Sequence, residues 1–94
     1  MTVYVDNLRA PYRRMLMCHM MADTEAELHA MADQIGVARK WFQANASWPH
    51  YDIALSKRAL AVAAGAKEIT WREAGKMTRE WRRAAVAAIK AKEE

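Results

Sequence analysis

Ninety-four residues, 53% hydrophobic and 28% charged, describe one globular domain with a single modest core. A chain this short buries roughly 60–65% of its unfolded surface, which excludes a second core, and its hydrophobic content excludes intrinsic disorder. The formal charge of +4 is uneven, since residues 67–94 hold eight Lys/Arg against five Glu while residues 1–66 hold seven against six, and that excess favours polyanions or an acidic partner.

Thr2-Val3-Tyr4-Val5-Asp6 alternates in the manner of a short strand that delivers Asp6 at its C-terminal end. Asn7 to Arg13, which contains Pro11, reads as a loop. Met15 to Ala22 is nearly all apolar and predicts a strand covered on both faces, with His19 on the face of Met15, Met17 and Met21. This is also the longest apolar run, and His19 interrupts it well short of the roughly 20 residues a membrane span requires. The lone Cys18 and the absence of a charged-then-apolar leader point to a soluble protein of the reducing cytoplasm.

Thr24 and Glu27 form a capping box, after which Leu28, Met31 and Ile35 recur at helical spacing until Gly36 supplies a stop. Val37 to Gln43 fits a third strand, with Trp41 and Phe42 on opposite faces, and Ala44 to Pro49 a polar loop. Ile53 to Leu55 extends briefly before Ser56 caps a second helix, Lys57 to Ala64, which is apolar around most of its girth and ends at Gly65. Lys67-Glu68-Ile69 predicts a fourth strand. Thr70 and Glu73 then open a long helix from Trp71 to about Lys92, which at 1.5 Å per residue spans roughly 33 Å. This order predicts an α/β (α+β) fold: a small mixed sheet of about four strands, two packed helices and a long C-terminal helix. Residues 1–70 form the core segment and residues 71–94 the basic helix of the same domain.

Four stretches carry a resemblance. They are Val3-Tyr4-Val5-Asp6, the pair Cys18-His19, A-D-T-x-x-E-L-H from Ala22 to His29, and H-Y-D-x-x-x-S-K-R-A-L-A-V from His50 to Val62. Together they resemble the small bacterial and bacteriophage proteins of domain-of-unknown-function family 4031 over roughly residues 1–70. The resemblance implies no established activity and transfers no catalytic role. In a phage setting it leaves room for an interaction module that engages a host protein through its surface and final helix.

The chemistry-bearing residues fall into three groups. Ser56, Lys57 and Arg58 place a hydroxyl and two cations at a helix start, where free backbone N–H groups favour an anion. With His50 and Tyr51 at the rim, this group predicts binding of a phosphate-bearing ligand, either a nucleotide or a nucleic-acid backbone. Asp6, His19, His50 and Asp52 are ligand types for a divalent metal, although no local signature such as H-E-x-x-H forces them together. Convergence of these four would suit a metal-dependent hydrolase or phosphodiesterase. The third group is the stripe Trp71, Ala74, Met77, Trp81, Ala85, Ala88 and Ile89, of which the last four overhang so small a body and predict a homodimer of modest affinity. Cys18 lies mid-strand, where a thiol is unreactive, and no P-loop or dinucleotide fingerprint is present, so no cofactor beyond a divalent metal is expected.

Overall fold

The computed structural model describes residues 2–93; Met1 and Glu94, which belong to the two expected segments, lie outside the described residues. Its elements in chain order are β1 (Val3–Val5), β2 (Ala10–Tyr12), β3 (Met15–Ala22), α1 (Glu25–Ile35), a 3-10 turn (Arg39–Trp41), β4 (Phe42–Gln43), β5 (His50–Ala54), α2 (Leu55–Ala63), β6 (Lys67–Glu68) and α3 (Trp71–Glu93). Six strands form one mixed sheet in the order β4-β5-β3-β1-β6, with β2 joined to the N-terminal half of β3. The chain is therefore α+β with a long terminal helix, and the sheet has two more strands than the sequence suggested.

Both additional features have local causes. Ala10–Tyr12, expected to be loop, pairs antiparallel with Met15–Met17 across the Arg13-Arg14 turn. Pro11 is tolerated because β2 has a neighbour on one side only, so its missing N–H breaks no second ladder. The expected strand Val37–Gln43 is mostly a different structure, because Arg39–Trp41 winds into a 3-10 turn and only Phe42 and Gln43 pair with β5. The brief extension expected at Ile53 to Leu55 is a five-residue strand, β5 (His50–Ala54), paired with β3 from Tyr51 to Ala54.

Strand alternation sorts the side chains onto two faces of the sheet. Val5, Met20, Tyr51 and Ile53 point to the face covered by α1 and α2, where they pack with Leu28, Met31, Ile35 and Ala61 in the principal core. Thr24 caps α1 through the Glu27 N–H, and Gly36 ends the helix in the left-handed conformation at φ 79° that a side chain would oppose. The opposite face carries Tyr4 and Met21 and is roofed by the first half of α3, whose Ala74, Met77 and Trp81 close a smaller core with Ile69. The reciprocal hydrogen bonds of Thr70 and Glu73 start α3 where the sequence placed it.

Trp81 is thus not part of an exposed ridge. It packs on Tyr4 and Trp48, with ring centroids 5.9 and 5.2 Å away, because the roofing helix must cover Tyr4 on an otherwise open sheet face. Ala85, Ala88 and Ile89 do remain exposed, and the molecule measures 48 Å along its longest axis against 24 and 23 Å across.

Candidate metal centre

Three adjacent strands bring Asp6, His19 and Asp52 into one transverse row. Val5 pairs with Met20, so the next residue, Asp6, falls beside His19, and its backbone N–H donates to the His19 carbonyl at 3.1 Å. His19 in turn lies directly opposite Asp52 in the β3–β5 ladder. His50 precedes Asp52 by two residues on β5 and therefore shares its face. One ligand atom from each of His19, His50 and Asp52 lies within 4.8 Å of the others, and the two imidazoles meet edge to face at 4.8 Å.

Hydrogen bonds determine which nitrogen each ring presents. The His19 Nδ1–H donates to Asp6 Oδ2 at 2.7 Å, and the His50 Nδ1–H donates to the Trp48 carbonyl at 2.8 Å. Both Nε2 atoms then face Asp52 Oδ1, at 3.7 Å from His19 and 3.1 Å from His50. With the rings neutral, these three atoms are all acceptors. Lone pairs gathered so closely require a proton or a cation among them.

Asp6, a candidate ligand by its residue type, has a different position in the structure, on the Nδ1 side of His19. It is fully buried; Oδ1 accepts from the N–H groups of His19 and Leu8 at 2.9 and 3.2 Å, while Oδ2 takes the imidazole. Burial pushes the Asp6 carboxyl up, but the hydrogen bonds from the His19 ring and from the two N–H groups outweigh it and hold the group below the usual range. The bond to Asp6 likewise holds the His19 imidazole above the ordinary histidine range, against burial, with the Asp6 and Asp52 charges adding to the rise. A carboxylate that orients a histidine by its second nitrogen is the usual support of a metal-binding imidazole.

The other predicted group does not assemble. Ala54 occupies the cap position of α2 without a side-chain bond, and Ser56 is the second residue of the helix, exposed, because β5 stops at Ala54, one residue short of the expected strand end, and the helix begins at Leu55. The Lys57 ammonium sits 3.3 Å from the point a Cβ on Gly36 would take, at the C-terminal end of α1, where a helix dipole favours a cation. Arg58 donates to the Asp6 carbonyl at 2.8 Å and to Glu68 Oε1 at 2.9 Å. Tyr51, placed at the rim from sequence, is fully buried on the opposite face, its hydroxyl 2.7 Å from His29 Nδ1. Alternation along β5 is the reason, since His50 and Asp52 take one face and Tyr51 and Ile53 the other.

Cys18 is buried with its thiol hydrogen-bonded to the Ile53 carbonyl, and burial pushes its pKa up to about 11, as an unreactive mid-strand cysteine requires. Above the Asp6–His19–His50 corner lies a cleft of about 150 Å³, walled by Trp48 and roofed by Trp71, Gly75 and Thr78 of α3. The sequence does not point to these roof residues as part of a site, because nothing local indicates that α3 folds over β3. The apolar spacing of Trp71, Ala74 and Met77 was the available signal.

The family model described as "Protein of unknown function (DUF4031)" matches residues 3–81. The chain belongs to this family. The DUF4031 match runs beyond the residues that carry the sequence resemblance and stops at Trp81, the residue where α3 leaves the body of the domain. Asp6, His19, His50 and Asp52 all fall inside it. No curated protein and no solved structure matches the chain. Among the described residues, no helix is long and apolar enough to cross a membrane.

Proposed function

We propose that this DUF4031 chain is a metal-dependent hydrolase, of the phosphodiesterase type, in which His19, His50 and Asp52 ligate one divalent cation and Asp6 orients His19. The observation that carries this reading is the pair of imidazoles tied down at Nδ1 with both Nε2 atoms turned on the Asp52 carboxylate. Two histidines and one carboxylate would form a three-donor set of the catalytic rather than the four-donor structural kind, and both histidines line the cleft. A divalent cation held by His19, His50 and Asp52 would supply activation of water near neutral pH. The reaction such a water would serve is phosphate-ester hydrolysis, in which the ester P–O bond is exchanged for a bond to the water oxygen and the water's proton goes to the departing alkoxide.

Phosphate binding at Ser56, Lys57 and Arg58 has weaker support, since Arg58 is engaged by Glu68 and the Asp6 carbonyl. Calorimetric titration of metal-free protein with Mn²⁺ and Zn²⁺ tests the proposal. One equivalent is expected to bind, with uptake abolished in His50→Ala and weakened about 10- to 100-fold in Asp6→Asn. A folded wild type that takes up neither ion, or a His50→Ala variant that binds as well as wild type, would remove the catalyst and with it the proposal.

A further inference from the structure

The cleft is too small to enclose a whole ligand of ordinary size. At about 150 Å³ it admits a phosphoryl group and a few waters, whereas pockets that engulf small molecules begin at roughly 300 Å³. The remainder of any substrate must rest on the rim. Two features of α3 determine what that rim can bind. Trp71 lines the cleft yet leaves 53% of its surface exposed beside the polar corner. One turn on, Gly75 also lines the cleft, and the Arg79 guanidinium folds back over it, with one nitrogen 3.5 Å from the point a Cβ on Gly75 would occupy.

That fold-back follows from helix geometry, since side chains lean toward the N-terminus and cover the residue four positions earlier. Arg39 and Arg58 are the arginines with carboxylate partners among the described residues. Arg79 is not one of them, and its guanidinium lies beside Gly75, a residue of the cleft lining. Nearby, Thr78 spends its hydroxyl on the Ala74 carbonyl at 3.0 Å, so Arg79 is the stronger polar donor beside the α3 residues that line the cleft.

We infer that the site takes a phosphate ester that carries a nucleobase, the base stacking on Trp71 and the phosphate pairing with Arg79 in front of His19 and His50. Base–aromatic stacking together with a guanidinium–phosphate fork is the recognition chemistry of nucleotides and of single-stranded nucleic acid alike. The inference rests on the hydrolase reading for what happens to the ester, but binding itself requires no cation.

The test is therefore run without added metal, by calorimetry with adenosine 5′-monophosphate, inorganic phosphate and a four-residue oligothymidylate. Adenosine monophosphate should bind more tightly than phosphate. Trp71→Ala should weaken adenosine monophosphate about tenfold and leave phosphate unchanged, Trp71→Phe should retain most of the binding, and Arg79→Ala should weaken both ligands about tenfold. Because Trp71 and Arg79 are exposed, circular dichroism and Mn²⁺ uptake should match wild type in every variant, so a failure here is separable from a failure of the metal site. Tighter binding of the oligothymidylate identifies a nucleic-acid strand and tighter binding of the mononucleotide a free nucleotide; both support the inference. Equal affinity for adenosine monophosphate and phosphate, or indifference to Trp71→Ala, overturns it.

Discussion

Asp6 shows how much of the site one side chain supports. Its carboxylate is fully buried and receives three donors, two of them backbone N–H groups that set the geometry between β1, β3 and the loop after β1. Removing it leaves those donors in a dry environment, so Asp6→Ala is expected to cost about 3–5 kcal/mol in urea unfolding, more than any loss of metal affinity alone explains. Tyr51 makes a second test at this scale. Burial raises its phenol above the ordinary value of 10.0, so the folded state keeps a proton that the unfolded chain surrenders. The stability from this difference is whole below about pH 10 and drains away as pH climbs through the raised native value. Tyr51→Phe should cost about 1 kcal/mol at neutral pH, through the lost bond to His29, and should show a shallower alkaline decline in its unfolding midpoint. Parallel curves above pH 10 would mean that the phenol reaches solvent.

At the level of elements, the three helix starts differ in a way that substitution can read. Thr24 and Thr70 each accept a bond from the N–H three residues on, at 3.3 and 3.1 Å, whereas α2 begins at Ala54 with no side-chain cap. Thr24→Ala and Thr70→Ala should each cost about 0.5–2 kcal/mol, and Ser56→Ala should fall within about 0.5 kcal/mol of wild type. A cost above about 1 kcal/mol at Ser56 would restore it as a cap and undo this account of α2. The roof has its own determinant in Trp81, which joins α3 to Tyr4 and Trp48. Since Trp48 also supplies the carbonyl that holds His50, Trp81→Ala is expected to weaken Mn²⁺ uptake as well as lower stability by about 2–3 kcal/mol.

The whole molecule is elongated because α3 continues for three turns after it stops touching the sheet. Twenty-three residues at 1.5 Å each give a helix of about 35 Å on a body 24 Å wide. Beyond Trp81 the helix buries nothing among the described residues, and Val86 and Ile89 are 50% and 57% exposed. A chain ended after Ala84 should therefore keep the melting temperature of the full chain to within a few degrees. The homodimer expected from sequence has lost Trp81 from its interface, and the alanines that remain offer little area. If the pairing forms through Ala85, Ala88 and Ile89, sedimentation of the full chain at micromolar concentration will show dimer, and the shortened chain will be monomeric. A monomer in both would leave the overhang without a partner of its own kind.

Much of this architecture is legible along the chain because its signals are local. Thr24, Glu27 and Gly36 bound α1 from within a dozen residues, Thr70 and Glu73 start α3, and the apolar run Met15–Ala22 is a strand in any setting. Residue types are legible too, which is why Asp6, His19, His50 and Asp52 stand out in the sequence as candidate ligands. Their arrangement is not, since it depends on a register between strands that lie more than thirty residues apart in sequence. A slip of one residue in the β3–β5 ladder would turn His19 away from Asp52, and nothing near either residue encodes that choice. Tertiary packing also buried Tyr51, drew Arg58 to Glu68, set Asp6 against the Nδ1 side of His19, and brought Trp71 over a sheet face that the sequence left open. Composition and local pattern determined which elements form, whereas packing determined which side chains meet, because contacts across a sheet are chosen by the burial of both its faces at once.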